Sequence, residues 1–193
     1  MLASITPLGE RSRGSRYMLT VTAFVVGSTA AGTGVGAVLA SLGAVSVSPL
    51  SAETRVVLLV TTLGALFFVE LRRLPTPTRQ VNEEWMHTYR GWVYGFGYGA
   101  QLGTGVATVV TTATVYAALT TAFFTADAVA GSIIGATFGL LRGISLLAGM
   151  RIRSPRALVR LDAALRNGER WARSFASTSH AAIVLVCLGW LAR

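Results

Sequence analysis

The sequence predicts an all-α, polytopic membrane helix bundle of about five transmembrane helices, with a two-helix internal repeat and two interfacial amphipathic helices. Three observations carry the prediction. First, 52% of the residues are hydrophobic and only 13% are charged, where a soluble domain has about 25% charged; the mean hydropathy is +0.58. Second, the apolar residues fall in long runs bounded by arginines. Third, two adjacent apolar segments carry glycine at every fourth position: Gly91, Gly95, Gly99 and Gly103, then Gly131, Gly135, Gly139 and Gly143.

A spacing of four puts each set on one helix face as a groove without side chains. In water a glycine inside a helix costs up to about 1 kcal/mol against alanine. In lipid the same groove lets two backbones approach closely and gain dispersion contacts. These glycines are therefore read as helix-packing positions.

The elements follow in order. Residues 1–16 are polar, with Arg11, Arg13 and Arg16, and read as a cytoplasmic tail. The first apolar run, about 17–47, is too long for the 7–15-residue core of a signal peptide and reads as an uncleaved first span. The second run is about 55–71, the third 92–124, the fourth 127–150 and the fifth 177–191. The first and third exceed a simple crossing of about 20 residues, so they must tilt, project or break near their glycines. Residues 17–192 thus form one transmembrane domain, with a first repeat over 17–90, a second over 91–173 and the last span at 177–191.

Arginine sets the orientation. The loops after runs two and four carry Arg72, Arg73, Arg79, Arg90 and Arg151, Arg153, Arg156, Arg160, whereas the links after runs one and three carry Arg55 alone. The N-terminus is then inside and the C-terminus outside a cytoplasmic (inner) membrane. Two inside segments read as interfacial helices, attracted by anionic lipid or offering a partner-docking face. One carries Val81, Trp85, Tyr89 and Trp92; the other carries Leu158, Leu161 and Leu165 beside Arg156, Arg160, Arg166, Arg170 and Arg173.

The repeat rests on two matches. Gly32-Thr33-Gly34-Val35 recurs as Gly103-Thr104-Gly105-Val106, and Gly64-Ala65-Leu66-Phe67 as Gly135-Ala136-Thr137-Phe138, both at an offset of 71. The first copy has its own ladder of small residues, Ser28, Gly32, Gly36, Ala40 and Ala44. Two spans per copy make the copies parallel, with a substrate path or plain packing at their interface.

Few residues carry chemistry. Arg142 lies about two turns inside the end of the fourth run and reads as an anion or carboxylate site, or as a side chain snorkelling to headgroups. Glu70 aligns with Leu141, beside Arg142, and is a partner for it or for Arg72 and Arg73. Tyr98, Gln101, Thr104, Thr108, Thr111 and Thr112 either line a polar path or bond locally; the threonines favour their own backbone carbonyls, while the Gln101 amide needs a partner in lipid. Asp127 is a helix cap.

Much is excluded. Basic charge with no interleaved aromatic groove does not suit nucleic acid. All 17 basic residues are arginine, the codon signature of a GC-rich, bacterial genome. His87 and His180 have no companions at metal-ligand spacing, so neither a metal nor a cofactor is expected. Cys187 is the only cysteine, which leaves no disulfide within the chain. No nucleophile triad or phosphate loop is present, and the chain is not expected to be an enzyme.

One stretch resembles a known family. Gly95-Phe96-Gly97-Tyr98-Gly99-Ala100-Gln101-Leu102-Gly103-Thr104-Gly105 is similar to the fourth helix of the CcdA/DsbD thiol-redox transporters, which opens with a like Gly-Phe, two-residue gap, Gly pattern and continues with Pro-Cys. Leu102 and Gly103 stand where that Pro-Cys falls, and Ala31 and Gly32 where the other would fall, so both reactive cysteines are absent. The family has three inverted helices per half, against two parallel ones here. The resemblance implies a kinked-helix architecture of the kind found among small transporters.

The functional expectation is a small transporter or channel-like protein for a polar or anionic solute, with Arg142, Glu70, Gln101, Thr104 and Tyr98 on its path. The alternative is a non-catalytic assembly or accessory subunit of a membrane protein complex. A third reading is a redox-biogenesis factor that borrows a partner's cysteines. The expected partners are the lipid bilayer and a second copy or another membrane protein.

Overall fold

A computed structural model describes residues 5–72, 85–105, 114–151 and scattered positions from 154 to 189, and the described chain is all-helical. The fifth apolar run and the second interfacial helix fall largely outside these residues. Thr108, Thr111, Thr112, His180 and Cys187 fall outside them entirely.

The centre of the bundle is α2 (Tyr17–Ser46), an unbroken helix of 30 residues. It is about 45 Å long, against about 30 Å of bilayer hydrocarbon. Its apolar sequence holds no proline until Pro49, just past the C-cap Val47, where proline cannot continue a helix. Helix α1 (Pro7–Ser12) precedes it, and α3 (Ala52–Arg72) follows after a short turn. The Ser51 hydroxyl accepts from the Thr54 amide at 3.2 Å and starts α3.

The third apolar run is interrupted. After α4 (Trp85–Thr88), α5 (Gly91–Gly103) stops at Thr104, whose hydroxyl donates to the Gln101 carbonyl at 2.8 Å. Gly105 then takes a φ of +77°, a conformation in which a side chain is strained. Helix α6 (Thr114–Thr125) carries the run to its end, and α7 (Ala128–Ile144) returns antiparallel to α2 before a 3-10 turn, Ser145–Arg151. Asp127 caps α7, accepting from the Val129 and Ala130 amides at 2.7 and 3.0 Å. Among the described residues, two helices are long and apolar enough to cross a membrane, Tyr17–Ser46 and Ala128–Ala148.

Glycine seams join the core. α2 packs most extensively against α7 and α5. A Cβ added at Gly99 or Gly103 of α5 would overlap the main-chain carbonyl of Phe24 or Ser28. On the other side, a Cβ at Gly32 or Gly36 would overlap the carbonyl of Gly135 or Gly131, and one at Gly139 the carbonyl of Ser28. Ser28 crosses the α7 seam directly, its hydroxyl donating to the Gly139 carbonyl at 2.6 Å. Other hydroxyls bond within their own helix: Thr29 to Val25, Thr33 to Thr29 and Thr137 to Ile133, each at 2.8 Å.

Helix α2 departs from the ladder expected of the first apolar run at one step. Ser28, Gly32, Gly36 and Ala40 are buried, but the next buried residue is Gly43, and Ala44 is exposed. Four residues overshoot a 3.6-residue turn, so a run of fours drifts around the helix and one step of three restores the face.

Candidate functional site

The N-terminal segment, expected as a polar tail, is folded against the bundle from residue 5 onward. Thr6 caps α1, its hydroxyl accepting from the Gly9 amide at 3.1 Å, and Pro7 occupies the first turn, where its missing amide is no loss. Gly14, at a φ of +68°, turns the chain into α2. Ile5 is fully buried with Val21, Phe24, Tyr94, Tyr98 and Leu146.

This docking encloses an acid. Glu10 is 0% exposed. Its carboxylate accepts from the Thr20 hydroxyl at 2.7 Å and pairs with Arg13 at 2.7 Å, and the Tyr94 hydroxyl lies 2.6 Å from both of its oxygens. A carboxylate held out of water survives only with such partners, because desolvation alone costs several kcal/mol. The guanidinium of Arg13 also lies 5.9 Å over the Tyr94 ring. Burial opposes its charge, but hydrogen bonds to Glu10 and Tyr94 more than offset this and hold its pKa above the ordinary value. Tyr98 stacks on Trp85 at 5.8 Å between ring centroids and sits 5.9 Å from Tyr94, which ties α4 to the same cluster.

Beside the acid opens a cleft of about 890 Å³, lined by Arg13, Arg16, Thr20, Tyr89, Arg90 and Trp92 among others. Arg16 and Arg90 are the N-caps of α2 and α5, and neither makes a side-chain capping bond. The two helices run parallel, Gly95 lying against Thr20 and Gly99 against Phe24, so both N-termini stand at one end of the bundle.

The residues singled out from sequence are spread out. Tyr98 is buried in the aromatic stack. Gln101 and Thr104 are half-buried at the end of α5. Arg142 is half-buried on α7, its guanidinium 5.3 Å over the Phe138 ring, and its Nη1 is enclosed without a hydrogen-bond partner among the described residues. Neither Arg142 nor Gln101 lines the cleft. Glu70 lies on α3, and its side chain, with any pairing to Arg142, is outside the described residues. Among the described residues no group of His, Cys, Asp and Glu could hold a metal ion.

Sequence reasoning misses Glu10, Thr20 and Tyr94 and places Arg13 in a cytoplasmic tail. One local signal was available, the Thr6-Pro7 pair that starts a helix. The contact of Glu10 with Tyr94, 84 positions away, leaves no local trace. No known family model matches the chain, and neither a curated protein nor a solved structure matches it.

Proposed function

We propose that the chain is a multi-pass integral protein of the cytoplasmic membrane whose role is non-catalytic, an assembly or accessory subunit that holds other membrane proteins. The observation that carries this reading is the placement of side-chain bulk on α7. That helix buries Gly131, Gly135, Gly139 and Gly143, while Val129 is 69%, Ile133 61% and Leu141 65% exposed. A helix in water does the reverse. In a bilayer large apolar side chains lose nothing by facing lipid tails, and the seam gains the close approach.

The same seams favour assembly over passage. α2 meets α5 and α7 main chain to main chain, which leaves no lumen along either contact. Five spans with the N-terminus inside complete the reading, supported by charge. Arg13, Arg16, Arg90 and Arg142 gather where α2 and α5 begin and α7 finishes, while Glu53, Asp127 and Arg55 stand at the other end. The two-helix duplication rests on the recurring tetrapeptides and on the parallel course of α2 and α5. Its copies are packed differently: Gly135 lies against Gly32, but its counterpart Gly64 faces open space.

A second reading, a small transporter for a polar or anionic solute, is favoured by the arginine-lined cleft and by the break at Gly105, which suits the kinked helix that the CcdA/DsbD resemblance implies. Arg142, Glu70, Gln101, Thr104 and Tyr98 would then meet the solute.

Purification of the full chain in mild detergent and reconstitution into vesicles separates the two. The expected result is a membrane protein, or a second copy of the chain, retained at fixed stoichiometry, with no solute flux. Flux of an anion through vesicles holding the chain alone overturns the assembly role. Release from membranes by alkaline carbonate overturns the membrane placement itself.

A further inference from the structure

The cleft beside Glu10 carries more positive charge than the described residues balance. Arg13, Arg16 and Arg90 line it, and the only carboxylate the described residues place beside it is Glu10. That carboxylate is fully buried and already engaged by Arg13, Tyr94 and Thr20. Among the described residues, three guanidiniums against one carboxylate leave an excess of two positive charges. Arg16 and Arg90 are exposed and have no ion-pair partner among the described residues.

Their position sharpens the imbalance. The start of a helix carries the positive end of its dipole, where an anion is favoured and a cation is not. Here the starts of a 30-residue and a 13-residue helix lie side by side, and each has an arginine at the cap in place of a hydroxyl or carboxylate. The arrangement is unfavourable when empty and favourable around an anion.

We propose that this cleft binds a phosphate group, carried either on a lipid headgroup or on a soluble phosphate ester. Arginine pairs with phosphate oxygens through two parallel N–H donors. A phosphate ester of one or two negative charges matches the excess in the cleft. The volume of about 890 Å³ leaves room for the rest of a headgroup or ester beyond the phosphate. The rim favours the lipid source: Leu19, Tyr89 and Trp92 line the same cleft and are 51%, 51% and 50% exposed. Aromatic rings and an aliphatic side chain beside arginines suit the level of a headgroup. Phosphate binding stands apart from the assembly role, and only the lipid source rests on the membrane placement.

The test uses the full chain in detergent micelles, with bound lipid counted by native mass spectrometry and stabilisation followed by thermal melting. The probes are phosphatidylglycerol, phosphatidylcholine and glycerol 3-phosphate. The variants are Arg16→Gln with Arg90→Gln, and an equal charge removal outside the cleft, Arg156→Gln with Arg160→Gln. Phosphatidylglycerol is expected to bind and raise the melting temperature, with affinity about tenfold weaker in the cleft variant and unchanged in the control. Glycerol 3-phosphate binding that displaces phosphatidylglycerol assigns the site to soluble esters. Lipid binding untouched by glycerol 3-phosphate assigns it to headgroups. Equal loss in both double variants, or no preference over phosphatidylcholine together with no glycerol 3-phosphate binding, overturns the proposal. Arg16→Lys with Arg90→Lys is expected to keep part of the affinity, which separates lost charge from lost fold.

Discussion

The hydroxyl of Tyr94 lies 2.6 Å from both carboxylate oxygens of Glu10, although the two residues are 84 positions apart. The pair joins a short N-terminal helix to the end of the bundle where α2 and α5 begin, with Thr20 and Arg13 completing the shell. Replacing Tyr94 by Phe removes one hydrogen bond to a charged group, expected to cost about 1.5–3 kcal/mol. Glu10→Gln leaves Arg13 facing a neutral amide and is expected to cost more, about 3–5 kcal/mol. Because both act on one network, the double variant should fall short of the sum. Thermal melting in detergent checks this; strict additivity would mean that the two residues do not share a network.

The seams make a paired prediction. A Cβ at Gly32 or Gly135 would overlap main-chain atoms of the facing helix, whereas one at Gly34 would meet nothing within 4 Å. Gly135→Ala is therefore expected to destabilise by about 1–3 kcal/mol, the range for overfilling a packed contact. Gly34→Ala, on the same helix as Gly32, should be neutral or stabilise by about 0.5–1 kcal/mol, since alanine is the better helix former. Equal effects at the two positions, read from melting temperatures, would remove the seam from the account of stability.

The helical class and the extents of several elements were legible because long apolar runs between polar stops admit few alternatives. The run read as 17–47 is the helix Tyr17–Ser46, and that read as 55–71 is Ala52–Arg72. The length of the third run calls for tilt, projection or a break, and the described residues show a break beyond Gly103. The N-terminal segment was illegible for a different reason. Its polarity matched a solvated tail, and only tertiary neighbours turn Ile5 and Glu10 into buried residues. Likewise the cleft is assembled from Arg16 and Arg90, which sequence places in separate segments and which only the parallel packing of α2 and α5 brings together.

Helix α7 depends on its cap. Asp127 satisfies two amides of the first turn, from Val129 and Ala130, and its charge faces the positive end of the helix. Asp127→Ala is expected to cost about 0.5–2 kcal/mol, and Asp127→Ser less, since serine keeps an acceptor at the cap. Hydrogen exchange at the first turn of α7 should rise in the alanine variant. Unchanged protection there would show that the turn is held by the bundle alone.

Arg142 tests whether a half-buried charge is kept for stability or for use. Among the described residues its Nη1 is enclosed with no hydrogen-bond partner, and its guanidinium lies 5.3 Å over the Phe138 ring. A cation over an aromatic ring is worth about 0.5–2 kcal/mol, while removing an ion from water costs several. The balance points to a residue that the described surroundings do not fully compensate. Arg142→Leu is therefore expected to be neutral or to raise stability by about 1 kcal/mol, as when buried ions give way to apolar residues of similar size. If the assembly role is right, the variant keeps its retained partner at the same stoichiometry; if the residue serves a solute, stability rises while flux falls. A drop in melting temperature with no change in either function would instead assign Arg142 to the packing of α7.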